Sequence, residues 1–477
     1  MSGQRRAAAA IVAILLSTAA SATMSGEPPP ASPENQDLEL IPEAARQSPK
    51  ASSTGAAPAQ RIYVEDALTL SSRREALPVP VPPPPPFDWQ DRLFLDVRRE
   101  WSLGDAAQFH YSGRLNLRAE NDISFPDHEN LINDLREVYA SFEPADRTFL
   151  EIGRINLKSG VALGFNPTDY FKSRAVVEPL SLDPSVLKED RLGTLMLQAQ
   201  EIFEHGALTA ALAPAVRRPS PIYTNLDLPS FNPMLDRTNA STRVLLKGSF
   251  SLDKDLSPEL LLYRDGSQTK GGINLTRNLG QRVIGYLEGS AGRGTNLVDE
   301  AFQFGRQTGS LPAGAPTVLP DETNTRLEEQ LAIGVSYTTE SRITFNIEYE
   351  LNQAAFTNRV WEQWFSAGSG QGARSASALE LWLIRDYALD QEEPISRNSL
   401  FLRADWVDAF IPKLELVGLV AEDFRDGSAL LQLGGDYFLS DHWTVGGLVI
   451  GYLGSRRSDF GSLPLEGSVL VKVARYF

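Results

Sequence analysis

From residue 87 onward, hydrophobic and polar residues alternate with a period of two. In segment 109–120 the split is complete. One face carries Phe109, Tyr111, Gly113, Leu115, Leu117 and Ala119, and the other carries His110, Ser112, Arg114, Asn116, Arg118 and Glu120. Segments 343–352 and 243–252 repeat the pattern, with Leu245 as an apolar residue on the polar face. Such alternation predicts β-strands with one apolar and one polar face.

The length of these segments separates two kinds of all-β protein. Several of them run for about ten to sixteen residues, whereas strands of soluble proteins usually have about five or six. A tilted strand needs about 9 to 11 residues to cross a membrane. The pattern therefore favours a transmembrane barrel over a soluble sandwich.

Short turns alternate with long connections along the chain. The short turns are predicted near residues 143–146, 204–206, 253–255, 340–341 and 440–441, and the long connections at 160–190, 217–240, 295–324 and 357–397. Outer-membrane barrels have short periplasmic turns and long external loops. We count about 17 strand candidates, and because a bacterial antiparallel barrel has an even number, we predict an all-β transmembrane antiparallel barrel of about 16–18 strands over residues 87–477.

The N-terminus predicts secretion. Residues 1–22 contain Arg5 and Arg6, a short apolar stretch at 7–16 and the small residues Ala20 and Ala22, which is the pattern of a cleaved signal peptide. Residues 23–86 are rich in proline, alanine and serine and end in the prolines 82–86. We predict a disordered periplasmic segment there, either a spacer or an arm for a periplasmic partner. Segment 61–70 is an exception that could be a strand or a docking segment.

Composition excludes several other classes. The net charge is -16 and the isoelectric point is near 4.9, which argues against a nucleic-acid partner. The absence of cysteine excludes disulfides and thiolate metal sites. The mean hydropathy is -0.22, and after the first twenty or so residues no apolar run approaches the roughly 18–20 residues of a spanning helix. Contact with outer-membrane lipid is therefore predicted through strands.

The last strand supplies a specific local signal. It has apolar residues at Val469, Val471 and Val473 and ends in the aromatic residue Phe477. This pattern resembles the recognition signal of the outer-membrane barrel assembly machinery, which the resemblance implies as a partner. Arg475 departs from the pattern, but a long cationic side chain near the membrane interface can extend into water.

Basic residues on the predicted polar faces are candidates for solute selectivity. The early hairpins contribute Arg114, Arg118, Arg154 and Lys158. Cations inside a barrel attract anionic solutes even when the whole chain is acidic. The alternative is that they pair with Glu120, Glu137 or Glu151 and only neutralise the interior.

Two long connections carry further candidates. Connection 160–190 contains Asp169, Lys172 and Arg174, which would gate passage if the connection folds into the lumen and would not if it lies over the rim. In connection 357–397 the spacing of Val360, Trp361, Trp364 and Phe365 predicts a short amphipathic helix that packs on the barrel rim.

One hairpin carries a family resemblance. Segment 134–142, with Leu135-Arg136-Glu137, is followed by Gly153-Arg154 and then by Asn166-Pro167-Thr168-Asp169. These motifs, about forty residues in all, resemble a hairpin of alginate-export porins and related large barrels. The resemblance implies a channel for general or polysaccharide-type solutes.

Enzymatic chemistry finds little support in the sequence. His110 and Ser112 distantly resemble the histidine and serine of outer-membrane phospholipases, but here they lie on the predicted lumen side. The four histidines are scattered without metal-ligand spacing. Glu348 and Glu350 are interpreted as lumen-wall polarity. We predict no enzyme, no metal site and no cofactor.

The expected function is passive diffusion or export of hydrophilic solutes, with anionic or polysaccharide-type solutes as candidates. The alternative is a structural or secretion-linked barrel whose proline-rich arm docks periplasmic machinery. Segment 23–86 is too short and polar for the plug of an energy-coupled transporter. The sequence leaves open whether the barrel is a monomer or a trimer.

Overall fold

The computed structural model describes residues 60–81, 87–104, 107–120, 131–177, 179–222, 232–253, 255–311, 314, 317–320, 324–369 and 375–477. The predicted signal peptide, residues 23–59 and the prolines 82–86 lie outside the described residues. Predictions about them stay predictions.

Eighteen strands form one sheet in which each strand pairs antiparallel with its neighbours in the chain. The strands are β1 (Gln60–Arg73), β2 (Trp89–Ser102), β3 (Ala107–Glu120), β4 (Leu131–Ala145), β5 (Thr148–Ile155), β6 (Thr194–Phe203), β7 (Gly206–Ala213), β8 (Arg243–Phe250), β9 (Leu256–Asp265), β10 (Gln268–Asn278), β11 (Val283–Gly294), β12 (Arg326–Thr338), β13 (Ile343–Asn352), β14 (Asn398–Trp406), β15 (Leu414–Asp423), β16 (Ala429–Ser440), β17 (Trp443–Leu453) and β18 (Leu465–Tyr476). The predicted all-β barrel is confirmed, with a strand number at the top of the predicted range.

β1 closes the barrel. It pairs with β2 through Leu70 and Trp89 and with β18 through Tyr63 and Tyr476. The barrel therefore begins at Gln60, and the predicted boundary at residue 87 is wrong. The pattern of β1 is weak because Asp66 interrupts its apolar face, so its alternation does not stand out from the proline-rich sequence around it.

The two faces of the sheet differ as predicted. Outward side chains are apolar and exposed, among them Leu208, Leu246, Leu262, Ile273, Ile333, Ile347, Leu433, Val449 and Val471. Inward side chains are polar and mostly buried, among them Asp96, Asn116, Lys247, Glu259, Asn274, Glu288 and Glu348. An apolar belt around a polar interior is the pattern of a barrel in lipid. None of the helices in the described residues combines the length and apolarity that a membrane-spanning helix requires.

The two ends of the barrel have different connections. The end that holds Gln60 and Tyr476 has tight turns, for example between β4 and β5 and between β6 and β7. The opposite end has the long connections 74–88, 156–193, 214–242, 295–325 and 353–397. Short turns mark the periplasmic end, so connection 74–88 is an external loop. The described part of the proline-rich run, Val79 and Pro80, is therefore external rather than periplasmic.

The external loops build a helical cap. The α-helices of the described residues are α1 (Pro184–Asp190), α2 (Leu235–Thr238), α3 (Leu297–Thr308), α4 (Asn358–Ser369) and α5 (Ser375–Asp390). α3, α4 and α5 share a hydrophobic cluster that contains Val79, Phe302, Phe356, Trp361, Trp364, Phe365, Leu381 and Trp382. The predicted helix at 360–365 is confirmed as α4. Its aromatic side chains pack inside the cap, so the prediction that they pack on the rim is wrong.

A proline of the first loop is bonded into this cap. The indole Nε1 of Trp382 donates to the backbone carbonyl of Pro80 at 2.9 Å, and Val79 is fully buried in the cluster. Aromatic rings bury a large area and need a partner for each polar atom. The contact therefore fixes the described part of the proline-rich run against α5.

Candidate functional site

Connection 156–193, which we call the lumen loop, folds into the barrel. Glu288 on β11 accepts the backbone N–H groups of Val161 at 2.7 Å, Ala162 at 2.9 Å and Thr168 at 2.7 Å. The Thr168 hydroxyl donates to the same carboxylate at 2.9 Å. Since backbone N–H groups need a partner when buried, a single wall carboxylate holds one stretch of the loop.

A second wall carboxylate holds the next stretch. Glu348 on β13 accepts the backbone N–H groups of Leu163 at 2.8 Å, Gly164 at 3.1 Å and Phe165 at 2.9 Å. It also accepts the Tyr286 hydroxyl at 3.1 Å. Interpreting Glu348 as mere lumen-wall polarity missed this function.

Two glycines allow the loop to approach the wall. Gly160 has a φ of +86°, and a Cβ there would lie 2.5 Å from a Glu288 carboxylate oxygen. A Cβ on Gly164 would lie 2.3 Å from a Glu350 oxygen and 2.5 Å from the Phe401 ring. Only glycine satisfies both the backbone angle and the contact at residue 160.

The return path of the loop is fixed on other strands. Leu182 donates its backbone N–H to Gln432 on β16 at 2.8 Å. Asp183 accepts from Arg403 on β14 at 3.0 Å and also caps α1 through the Ser185 N–H at 3.0 Å. The loop thus spans the lumen from β5 to β16. Of the two predicted positions, the structure has the loop inside the lumen rather than over the rim.

The opposite wall carries an arginine cluster around Asp96. Arg114 lies 3.0 Å and Arg136 lies 2.7 Å from the Asp96 carboxylate, with Arg61 at 3.8 Å. Asp190, the last residue of α1, pairs with Arg114 at 2.8 Å. Arg114 is therefore paired, as the alternative predicted, but its partners are Asp96 and Asp190.

The other predicted selectivity residues on the early hairpins differ in position. Arg118 lies 3.9 Å from Glu120, which is one of the predicted pairs. Arg154 is buried and donates to the backbone carbonyl of Gly193 at 2.8 Å, so it fastens the end of the lumen loop. Lys158 pairs with Glu189 of α1 and is about one-third exposed.

Glu189 has an unusual environment because a cation lies directly against it. Burial alone would raise the pKa of its carboxyl group, but the Lys158 ammonium, with the bond that it donates, outweighs burial and lowers the pKa to about 2. Arg98 and Arg61 act in the same direction. Glu189 therefore stays charged at neutral pH.

The three predicted gating residues of the loop are buried anchors. Asp169 pairs with Arg191. Lys172 donates to the Asn166 carbonyl at 2.9 Å and lies over the Phe165 ring, and burial lowers the pKa of its ammonium. Arg174 pairs with Asp390 of α5 at 2.8 Å. The three side chains join the loop to itself and to the cap, so the structure contradicts the prediction that they gate the passage.

Arg61 and Arg98, which the sequence analysis did not single out, are more exposed than the three buried residues of the lumen loop. The Arg61 side chain is 36% exposed while its partner Asp96 is 0% exposed. The Arg98 side chain is 33% exposed while its partner Glu137, at 3.6 Å, is 16% exposed. Arg61 was missed because it lies within residues 23–86, which were predicted to be a disordered periplasmic segment outside the barrel. Arg98 lies six positions after the inward residue Arg92 on β2. The alternation of the strand could therefore have identified Arg98 as an inward residue.

The described residues that were considered for catalysis or metal binding do not form a catalytic or metal-binding arrangement. His110 stacks on Tyr139 at 4.4 Å between ring centroids and lies 3.3 Å from Glu100. Ser112 is buried on the inward face of β3. Among the described residues, no group of three histidine, aspartate or glutamate side chains is placed to hold a metal ion.

The barrel is similar to solved porin structures. It matches OccK11 (OpdR) of Pseudomonas aeruginosa with 9% identity and a TM-score of 0.48, over 88% of this chain and 95% of that one. OccD3 (OpdP) of the same organism matches with 10% identity and a TM-score of 0.46, over 90% and 93%. A triple mutant of the Rhodopseudomonas blastica porin matches with 10% identity and a TM-score of 0.38, over 88% and 99%. No family model and no curated protein matches the sequence.

The resemblance to alginate-export porins stays a prediction, as does the assembly signal in β18. The fold assignment rests on the molecule itself. Eighteen antiparallel strands close on one another, their outward faces form an apolar belt, and their inward faces form a polar lumen that a loop enters. The chain is an outer-membrane β-barrel of eighteen antiparallel strands with a loop folded into its lumen.

Proposed function

We propose that the protein is a passive channel for small hydrophilic solutes and that it prefers anions. The observation that carries the proposal is the difference in exposure on the β1–β4 wall. There the side chains of Arg61 and Arg98 are about one-third exposed, and the carboxylates that they pair with are more buried. A solute in the lumen meets the cation first. Cations in a water-filled, low-dielectric passage raise the local concentration of anions.

The carboxylates of the opposite wall support the same preference. Glu288 and Glu348 are buried beneath the lumen loop, and their oxygens are occupied by the N–H groups of its backbone. Their charge is therefore screened from a passing solute by the loop. Lys158, which projects from the loop itself, adds a further cation beside Glu189.

The lumen loop also supports a limit on solute size. It is bonded to β11 and β13 at one side and to β14 and β16 at the other. A segment fixed at both ends cannot move aside at little cost, so it narrows the passage. We therefore propose small anions rather than polysaccharides as the solutes.

The test is conductance of the refolded protein in a planar bilayer under a salt gradient. We expect stable open steps and a reversal potential that indicates anion preference. Changing Arg61, Arg98 and Lys158 together to glutamine should leave the conductance steps in place and abolish the preference for anions. The matched control is Arg282→Gln, which removes an exposed arginine from the turn between β10 and β11 and should change nothing.

Two results would overturn the proposal. If the folded protein gives no conductance steps, the proposed channel function is wrong. If the reversal potential of the triple variant equals that of the native protein, the assignment of Arg61, Arg98 and Lys158 to anion selectivity is wrong. Block of the steps by a one-sided addition of polygalacturonate, with transfer of the polymer to the other side, would instead favour polysaccharides. Val79 and Pro80 are held in the external cap, so the alternative of a periplasmic docking arm applies only to residues 23–59, for which it stays a prediction.

A further inference from the structure

The external cap contains a cavity of about 190 Å³ at the mouth of the barrel. It lies between connections 295–325 and 353–397, where β12 and β14 begin. Three arginines from different elements line it. Arg326 is the first residue of β12, Arg359 lies in the first turn of α4, and Arg397 immediately precedes β14. None of the described residues that line the cavity is an aspartate or a glutamate. The cavity therefore concentrates positive charge.

Only one of the three arginines has a counter-ion in the described part of the chain. Arg326 pairs with Glu328, whose side chain is 10% exposed and does not line the cavity. Arg397 donates from Nε to the Ala355 carbonyl at 3.4 Å. Arg359 is exposed and forms no ion pair with a described residue. Burial and the nearby Arg326 cation lower the pKa of Arg397, and an anion between the guanidinium groups would relieve their repulsion.

Hydrogen bonds fix the backbone around the cavity. The Phe356 N–H donates to the Ile395 carbonyl at 2.8 Å, and the Leu297 N–H donates to the Ala354 carbonyl at 2.9 Å. These bonds join the connection that follows β13 to the segment before β14 and to the start of α3. A cavity whose walls are already fixed loses little conformational freedom when a ligand binds.

The groups that line the cavity suit a tetrahedral anion better than a carboxylate. Guanidinium groups form paired hydrogen bonds with phosphate oxygens, and arginines from three elements can bond to oxygens that point in different directions. A carboxylate has only two oxygens, which lie in one plane. The first turn of α4, a helix of 12 residues, adds the positive end of a helix dipole. The side chains of Asn296, Thr357 and Gln363 add neutral hydrogen-bonding groups.

We propose that this cavity binds the phosphate group of a soluble solute, either inorganic phosphate or a small phosphate monoester. The cavity lies among the connections of the cap and not on the outward apolar faces of the strands, which favours a soluble source over a lipid headgroup. Val298 and Leu319 also line the cavity and would contact the organic part of a monoester. The inference goes beyond the proposed channel function, because binding in the cap does not require conductance.

Equilibrium dialysis of the full folded protein in detergent against radiolabelled inorganic phosphate measures the binding directly, with protein-free micelles as the blank. We expect saturable binding. Arg359→Gln with Arg397→Gln should lower the affinity by about tenfold or more, because hydrogen bonds between charged groups are lost. The control is Arg217→Gln, which changes an exposed arginine of connection 214–242 outside the cavity and should leave the affinity unchanged.

Competition separates the ligand classes and the two sources of phosphate. Glycerol phosphate should displace the bound phosphate, whereas acetate at the same concentration and lipid A in the same micelles should not. Displacement by acetate as complete as that by glycerol phosphate would overturn the assignment to phosphate. Displacement by lipid A but not by glycerol phosphate would overturn the soluble source.

Two results would overturn the site itself. One is the absence of saturable phosphate binding by the native protein. The other is undiminished binding by the double variant or by Arg359→Gln alone, which changes an exposed side chain and should therefore leave the heat-modifiable mobility of the folded barrel intact. A lack of conductance in the bilayer would leave the dialysis result unchanged, so failure of the channel function and failure of this site can be told apart.

Discussion

Phe165 donates its backbone N–H to the Glu348 carboxylate at 2.9 Å, across the barrel from the strand at which its loop begins. Leu163 and Gly164 donate to the same carboxylate. One side chain of β13 therefore positions three consecutive loop residues. The position of the lumen loop depends on this carboxylate and on Glu288.

Glu348→Gln should release this part of the loop. The amide nitrogen is a donor and opposes the loop N–H groups, so we expect a loss of about 1–3 kcal/mol in the free energy of unfolding, the usual cost of a buried donor left without its partner. Bilayer recordings should show larger and noisier steps. Glu329→Gln is the control, since Glu329 is exposed and bonds only to Gln353 among its described contacts. Steps identical to those of the native protein would contradict the prediction.

Gly160→Ala should weaken the same attachment from the side of the loop. The added Cβ meets the Glu288 carboxylate, and the φ of +86° is strained for alanine. We expect a loss of roughly 1–3 kcal/mol, as for other overpacked sites. The comparison is Gly271→Ala on β10, where a Cβ meets nothing within 4 Å. Urea unfolding in lipid vesicles measures both, and equal midpoints would refute the close approach.

More of the fold than of the functional site could be predicted from the sequence. Alternation such as that of segment 109–120 depends only on neighbouring residues, so strands, turns and the external helix α4 could be recognised locally. The position of the lumen loop could not, because its partners Glu288 and Glu348 are more than a hundred residues away and have the same pattern as any inward carboxylate. Arg154 and Lys172 were assigned to the passage for a similar reason, since sequence does not show which inward cations a folded loop will bury.

The cap contains a buried ion pair that can be tested separately. Arg385 lies over the rings of Trp361, Trp364 and Trp382 at 5.4–5.5 Å, and it donates to Asp459 at 2.6 Å. Arg385→Met leaves Asp459 buried without its cation and should destabilise the cap by about 3–5 kcal/mol.

The double variant decides between pairing and packing. Arg385→Met with Asp459→Asn removes both charges and should recover most of the loss. Arg282→Met, which breaks an exposed pair with Glu340, should cost less than about 1 kcal/mol. Tryptophan emission follows unfolding, because three tryptophans line the site. No recovery in the double variant would show that the ring contacts dominate.

Asp386 of α5 should make the cap sensitive to pH. Burial and, to a smaller extent, the nearby Asp390 together raise the pKa of its carboxyl to about 7. Since the folded pKa is above the unfolded value of about 3.9, the folded state binds the proton more tightly. The stabilisation is complete below about pH 4 and is lost as the pH rises through 7.

Asp386→Asn removes this titration. Thermal unfolding followed by tryptophan emission at pH 5 and pH 8 should give a native cap that melts lower at pH 8. The variant should show a smaller difference, and the remainder should come from Glu300 of α3, whose pKa burial also raises to about 7. Asp441→Asn, in the turn between β16 and β17, serves as the comparison outside the cap. A melting temperature of the native protein that rises from pH 5 to pH 8 would contradict the prediction.

The pairing of β1 with β18 has a consequence for biogenesis. Tyr63 and Tyr476 are neighbours in the sheet but lie at opposite ends of the described chain. During export the N-terminal strand crosses the inner membrane first, and its partner crosses last. β1 must therefore wait with an open hydrogen-bonding edge, which in other strands invites aggregation, until synthesis of the whole chain is complete. Barrel closure in this protein is therefore a post-translational event, and a chain truncated before β18 leaves one edge of β1 and one edge of β17 without a partner strand.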